Sequence, residues 1–311
     1  MNEITIVDSI KNILSNNYIG DDCAYLKDLD IVVTQDSLVE NIHFLRKLIT
    51  PFQLGYKSVA VNLSDIYASG GIAKYLTISL SLPKDLDKDF VEEFYSGAKK
   101  ALNGAEIVGG DITGSDKIYI SITAIGSAKN RRISSRKNAK AGYKIITNGV
   151  HGSSHAGLYA LLNNINAPQK IINSHLMPQV NSTLSDKIST IAEFDYAMMD
   201  SSDGLADALL KIADNSNVLA EIEFEKIPYD KEILKINGLD YKKSILFGGE
   251  DYKLVCAISP EDLDKIDEKL YTEIGVIKEK TDDSLIKLKY KDKTEVYTKN
   301  DVERHLFSHF D

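Results

Sequence analysis

Two stretches of this chain alternate between apolar and polar residues, and they constrain the fold more than anything else in it. From Tyr75 to Leu82, Leu76, Ile78, Leu80 and Leu82 fall on one side and Thr77, Ser79 and Ser81 on the other. Ile118 to Ile125 repeats the pattern. A period of two sends successive side chains to opposite faces, so each stretch reads as a strand with one buried and one wet face. The segments between them follow helical spacing. Thr5–Leu14, Phe52–Ser69 (stopped by Gly70-Gly71) and Phe90–Leu102 each gather their apolar residues on one stripe. A short buried strand is expected over 31–34, and Glu106-Ile107-Val108 leads into a turn at Gly109-Gly110-Asp111.

The stretch 129–140 is basic and irregular and marks the expected domain boundary, giving units of 1–137 and 138–311. A length of 311 residues agrees with two domains at roughly 150 residues each. Beyond it, strands are expected near 144–148, 196–199, 219–224, 252–258 and 273–277. Helices are expected near 153–162, 185–192, 203–213 and 260–270. Ser202-Asp203 reads as the cap of the third of these helices. The order is α/β in the α+β sense, without the regular βαβ alternation of a doubly wound sheet.

The net charge is −9, which argues against nonspecific binding to nucleic acid or an anionic membrane. If the substrate is an anion too, divalent cations are the usual remedy, because hard ions take carboxylate and phosphate oxygens together. No apolar run reaches the roughly 18 residues of a membrane span. Met1-Asn2-Glu3-Ile4 has no basic region leading into an apolar one, so no signal peptide is expected. Two cysteines, Cys23 and Cys256, form no CxxC, which fits a reducing cytoplasm.

Familiar phosphate-binding signatures are missing: there is no Gly-Lys dipeptide for a Walker-type loop and no GxGxxG. HExxH and GxSxG are missing too. What the chain has is a series of acid-bearing turns: Gly20-Asp21-Asp22, Thr34-Gln35-Asp36, Asn62-Leu63-Ser64-Asp65, Gly109-Gly110-Asp111, Asp200-Ser201-Ser202-Asp203-Gly204 and Gly248-Gly249-Glu250-Asp251. Singly, each is an ordinary turn or cap. Together they would repel one another unless dispersed or bound to metal. Asp65 lies beside the apolar face of its helix, where an unpaired carboxylate is costly. His43 stands open between a substrate contact and a surface loop residue. Arg131, Arg132 and Arg136 stand between phosphate binding and a solvated linker. Cys23 reads as a small buried residue in preference to a reactive thiol. Phe307 to Phe310 either covers an apolar ligand or docks the terminus.

Six segments, in order along nearly the whole chain, carry a family resemblance: Ile19-Gly20-Asp21-Asp22-Cys23-Ala24, Thr34 through Phe44, Ala60-Val61-Asn62-Leu63-Ser64-Asp65-Ile66, Val108-Gly109-Gly110-Asp111, Met199 through Leu205, and Phe247-Gly248-Gly249-Glu250-Asp251-Tyr252. The sequence resembles the thiamine-monophosphate kinase family, of the aminoimidazole-ribonucleotide-synthetase-like superfamily. The resemblance implies transfer of the γ-phosphoryl group of ATP to thiamine monophosphate, giving thiamine diphosphate and ADP. It implies two α/β domains, a homodimer whose N-terminal sheets pair, and several Mg²⁺ ions in the cleft. By position, Asp22, Thr34, Asp36, Asp65, Asp111, Asp200 and Asp203 would be metal ligands, with Gln35 contributing a backbone or side-chain oxygen. Asp36, Asp65 and Asp203 would be central to catalysis. Tyr95, Gly110, Asp111, Arg136 and Ser202 match nucleotide positions, and His43, Glu250 and Phe307 match the thiamine-phosphate side.

Some positions depart from the family pattern. Gln35 stands where Thr or Ser is typical, Ser153 where Asp is usual, and Met177 where Arg is expected. Two other readings stay open. One is an ATP-dependent synthetase of the same superfamily; the other is a non-catalytic, metal-loaded or thiamine-phosphate-binding protein.

Overall fold

The computed structural model describes residues 3–16 and 18–306. Its first half builds a five-stranded sheet in the order β1-β2-β5-β3-β4. The strands are β1 (Ala24–Leu26), β2 (Ile31–Val39), β3 (Ile72–Leu82), β4 (Glu106–Gly114) and β5 (Tyr119–Ser127). Neighbours run antiparallel except β3 and β4, which are parallel and joined through a helix. The alternating stretches become β3 and β5, and Leu76, Ile78, Leu80, Ile120 and Ile122 are buried as their period requires.

The helices follow their punctuation. After α1 (Glu3–Leu14) comes α2 (Pro51–Ser69). The Thr50 hydroxyl accepts from the Gln53 backbone N–H, and the Gln53 side chain accepts from the Thr50 N–H, a capping box. Pro51 occupies the first turn, where its missing N–H costs nothing. The helix α3 (Lys88–Ala101) crosses α2 at very close range. A Cβ on Gly55 would lie 1.9 Å from the Phe94 carbonyl oxygen, so glycine is what permits the contact.

The second half forms a seven-stranded sheet in the order β12-β11-β8-β10-β6-β9-β7. Its strands are β6 (Lys144–Thr147), β7 (Ala197–Asp200), β8 (Val218–Glu223), β9 (Leu254–Ile258), β10 (Thr272–Glu279), β11 (Ile286–Tyr290) and β12 (Lys293–Tyr297). The helices α4 (Ser153–Leu162), α5 (Gln169–Leu176), α6 (Thr183–Ile191), α7 (Leu205–Ser216) and α8 (Tyr241–Phe247) accompany them.

The two halves share a core. Val59, Leu63 and Ile66 of α2 belong to one buried cluster with Ile188 of α6, Met198 of β7 and Cys256 of β9. The basic segment between the sheets is pinned by ion pairs: Arg131 to Asp186 at 2.7 Å and Arg132 to Asp195 at 2.6 Å. These pairs tie the segment to α6 and to the residues just before β7. Cys23 and Cys256 are both buried and unpaired. Among the described residues, no helix is long and apolar enough to cross a membrane.

Two local expectations are corrected. Gly109-Gly110-Asp111 is not a turn but lies within β4, an edge strand paired in parallel with β3. Ser202-Asp203 does not cap α7; Gly204 occupies the cap position without a side-chain bond. The Asp203 carboxylate is therefore free to face elsewhere.

Candidate active site

The C-terminal end of β7, the start of α7, the middle of β2 and the face of α2 meet along one cleft of about 690 Å³, within the range of small-molecule sites. Strand alternation puts Thr34 and Asp36 of β2 toward α2. The Thr34 hydroxyl donates to Asp65 Oδ2 at 2.6 Å, and the Asp36 backbone N–H donates to Asn62 Oδ1 at 3.0 Å. From the other half, Asp200 accepts at Oδ2 from the Ser64 hydroxyl at 2.5 Å and at Oδ1 from the Ser202 N–H at 3.3 Å.

Asp22, Asp65 and Asp200 each bring an oxygen within 4.8 Å of the other two. At that separation two ionised carboxylates repel by about 3.5 kcal/mol at an effective dielectric of about 20. The cluster must therefore hold protons or cations. Burial, then the neighbouring Asp203 and Asp22, push Asp36 up to about 6. Burial, then Asp22, push Asp200 up to about 7. Burial, then Asp36, push Asp65 well above the usual carboxylate range. An all-oxygen, acid-rich donor set is the kind that suits Mg²⁺ or Ca²⁺.

Fixed cations hold the rim. Arg136 pairs with Asp22 at 2.9 Å, and its backbone N–H donates to Asp21 at 2.7 Å. Lys211 lies 2.7 Å from Asp207 and 3.4 Å from Asp203. Asp203 thus reaches the cleft on an exposed loop, next to a lysine that steadies it.

The same cleft also carries aromatic and histidine side chains. His43, His155, His175, Phe247, Tyr252, His305 and Leu306 line it together with Glu250. Phe247 and His305 lie with ring centroids 4.4 Å apart. His43 accepts at Nδ1 from the Val39 N–H at 3.0 Å and closes the loop after β2. Burial, with Lys243 close by, lowers His155 below its ordinary value. Beside Glu250, Asp251 turns away: its carboxylate accepts from the backbone N–H groups of Gly152 and Ser154, at 2.5 and 2.8 Å.

Of the residues singled out in the sequence, Asp22, Thr34, Asp36, His43, Asp65, Arg136, Ser202, Asp203 and Glu250 line this cleft, and Asp200 completes the buried cluster. Gln35 also lines it. Its side chain points to the opposite face of the sheet and accepts from the Thr123 hydroxyl at 2.9 Å, as a one-residue offset from Thr34 and Asp36 requires.

Three expected positions stay away from the cleft. Tyr95 packs edge-on against Phe94 in α3, at a centroid distance of 5.5 Å. Asp111 is exposed on the β4 edge, in register with Ser79. Gly110 has a local structural reason to be glycine, since a Cβ there would lie 1.9 Å from the Ile78 carbonyl oxygen. Phe307 lies outside the described residues.

Residues not foreseen include Ser64, His155, His175, Lys211 and, on α2, Lys57. The last had a signal in the sequence: a lysine set among the apolar residues of a helix, eight positions before Asp65.

The family described as AIR synthase related protein, N-terminal domain, matches residues 20–128. A thiamine-monophosphate kinase of Aquifex aeolicus is 38% identical over 82% of this chain and 85% of its own. The corresponding enzyme of Synechococcus elongatus is 32% identical over 93% and 92%. A solved structure, AaThiL complexed with AMPPCP and TMP, superposes with a TM-score of 0.86 at 33% identity, covering 99% of this chain and 97% of that one. On the acid cluster, the two-sheet fold and these similarities together, this chain is an enzyme that belongs to the thiamine-monophosphate kinase family.

Proposed function

We propose that the cleft transfers the γ-phosphoryl group of ATP to the phosphate of thiamine monophosphate, directly and in line. The observation that carries this reading is the three-carboxylate cluster of Asp22, Asp65 and Asp200, drawn from both halves of the chain. Support comes from the relative solved with AMPPCP and TMP, an ATP analogue and the acceptor named in the family.

Asp22, Asp36, Asp65, Asp200 and Asp203, with the Thr34 hydroxyl, are the residues that would hold Mg²⁺. Such ions would neutralise the phosphate charge during transfer. The remaining work belongs to the chain. Arg136 and Ser202 face the cleft on the nucleotide side, with Arg136 kept in place by Asp22. His43 and Glu250 are the residues beside which the organic part of the acceptor binds, Glu250 being joined to Ser202 through its backbone N–H. The attacking atom is already a phosphate oxygen, largely ionised near neutral pH. No side chain is therefore required as a general base, and no phospho-enzyme forms.

In the same reading residues 1–137 carry the metal and nucleotide side, and 138–311 complete the cleft. Tyr75, Val108 and Ile112 leave apolar surface exposed on β3 and β4, which supports a homodimer formed through this sheet. Tyr95, Gly110 and Asp111 lie on the α3–β4 unit and enter the reading only through such a dimer. Two buried, unpaired cysteines are consistent with a cytoplasmic setting.

The test is product formation. Protein, ATP, Mg²⁺ and thiamine monophosphate are incubated, and thiamine diphosphate is followed as its fluorescent thiochrome. EDTA-sensitive product is expected, with no label retained on protein from γ-labelled ATP. Substrate binding without product would favour the non-catalytic binding protein, and a trapped phosphorylated residue would overturn direct transfer.

A further inference from the structure

Helix α2 carries a buried charge that the metal cluster leaves unused. Lys57 precedes Val61 and Asp65 at intervals of four, so the three share one face of the helix. Val61 and Asp65 line the cleft, and eight residues of helix span about 12 Å. Lys57 is completely buried. Its Nζ lies 2.9 Å from Glu250 Oε1 and has no hydrogen-bond partner of good angle among the described residues.

The other oxygen of Glu250, Oε2, lies 3.1 Å from His175 Nδ1. That nitrogen is also 3.3 Å from the Ser154 hydroxyl. The Glu250 backbone is fixed as well. Its φ is +66°, a left-handed conformation unusual outside glycine, and its N–H donates to the Ser202 carbonyl at 2.6 Å. Glu250 is thus held by groups from α2, α5 and the loop after β7, with Ser154 of α4 steadying His175 behind them, yet its side chain stays 25% exposed.

Burying an ammonium costs several kcal/mol, and an apolar residue of the same size would commonly serve stability as well. The arrangement is better explained by what it does to Glu250. A carboxylate has about four lone-pair sites. Lys57 and His175 take two, which leaves acceptor capacity on a carboxylate that lines the cleft. Burial raises the Glu250 pKa, but the Lys57 charge and the His175 contact outweigh it and hold the group down at about 2.

We propose that Lys57 is a positioning residue: it fixes the Glu250 carboxylate in one orientation at the acceptor end of the cleft. It thereby sets the affinity for the organic part of the acceptor without touching it. Through α2 it also sets the spacing between that end and Asp65. This rests on the acceptor-side reading of Glu250 given above.

The test is a double-mutant cycle of Lys57→Met, Glu250→Gln and the pair, with KM for each substrate, kcat and melting temperature measured. Lys57→Met and Glu250→Gln are each expected to raise KM for thiamine monophosphate about 10-fold, equivalent to about 1.4 kcal/mol. KM for ATP should stay within about twofold, and the pair should be no worse than Glu250→Gln alone. Multiplying effects in the pair, an equal rise in both KM values, or a fall in kcat alone would overturn the proposal. If Lys57→Met does not fold, the comparison of Glu250→Gln with the pair, which removes both charges, decides alone. Absence of wild-type turnover on thiamine monophosphate would overturn the functional reading itself, and this proposal with it. Turnover with the wrong KM pattern overturns only the role of Lys57.

Discussion

The Ser64 hydroxyl donates to Asp200 Oδ2 at 2.5 Å, a bond between residues 136 positions apart. It ties the helix that packs on the first sheet to the last residue of β7 in the second. Asp65 follows Ser64 and Ser202 follows the Asp200–Ser201 step, so one contact aligns both groups of cleft residues. The carboxylate cluster therefore exists only when the two halves are docked.

Asp65→Asn separates a metal role from a structural one. The amide keeps the shape and removes one charge from a crowded buried site. Turnover is expected to fall by about two to three orders of magnitude. The melting temperature of the metal-free protein should rise, because a like-charge contact is relieved. Near-normal turnover at saturating Mg²⁺ would show that Asp65 is structural.

The carboxylate cluster should contribute to the stability of the metal-free protein with a definite pH dependence. Asp36 and Asp200 are pushed up to about 6 and about 7 in the folded chain. Between about pH 4 and 7 these two carboxyls therefore bind more protons in the folded state than in the unfolded one, and their contribution to stability falls as pH rises through that window; the buried His151, His155 and His175, all lowered by burial, contribute in the opposite sense. The carboxyl contribution is isolated by comparison with a variant: with EDTA, moving from pH 8 to pH 5 should favour the wild type more than it favours Asp200→Asn. Adding Mg²⁺ at pH 8 should raise the wild-type melting temperature. An equal change in both proteins would mean that the carboxylates are not crowded as described.

Asp251 should behave differently from its neighbour Glu250. It holds the start of α4 through the Gly152 and Ser154 N–H groups. Asp251→Ala leaves two buried donors unsatisfied and is expected to cost about 1–3 kcal/mol of stability. At a temperature where the variant is folded, its KM for the acceptor should change less than that of Glu250→Gln. Denaturant melts and steady-state kinetics on the two variants would settle the comparison.

Much of the site was legible because the acids sit in short segments of distinctive composition, although Thr34 and Asp36 fall in the middle of β2 and Asp65 within α2, not in the turns their composition suggests. Thr34, Asp36, Asp65, Asp200 and Asp203 all come from segments whose spacing was visible. What was not legible arose from pairing. Gly109-Gly110-Asp111 has the composition of a turn, yet parallel pairing with β3 extends it as a strand and carries Asp111 to the sheet edge. The side chain of Gln35 turns toward Thr123 for a simple reason: a one-residue step in a strand reverses its face. His155 and His175 have no ligand spacing in sequence, because α4 and α5 bring them to the cleft only after folding. Lys57 could have been found, since a cation inside an apolar helix stripe needs a partner.

The β4 edge gives a further expectation. Val108 and Ile112 are 55% and 62% exposed, more than a free edge strand usually tolerates. Val108→Lys with Ile112→Lys should convert a dimer to a monomer in sedimentation and reduce turnover, with the melting temperature of the isolated fold little changed. A wild-type protein that sediments as a monomer at working concentration would remove the dimer, and with it any role for Tyr95, Gly110 and Asp111.

The central claim is that Asp22, Asp65 and Asp200 form the metal seat of a phosphoryl-transfer cleft. It is tested most directly by titrating Mn²⁺, a paramagnetic stand-in for Mg²⁺, into wild type, Asp65→Asn and Asp200→Asn with the ATP analogue present, reading free Mn²⁺ by electron paramagnetic resonance. Bound Mn²⁺ that is lost or weakened about 10-fold or more in each variant is the predicted result. Identical binding curves in all three folded proteins would contradict it.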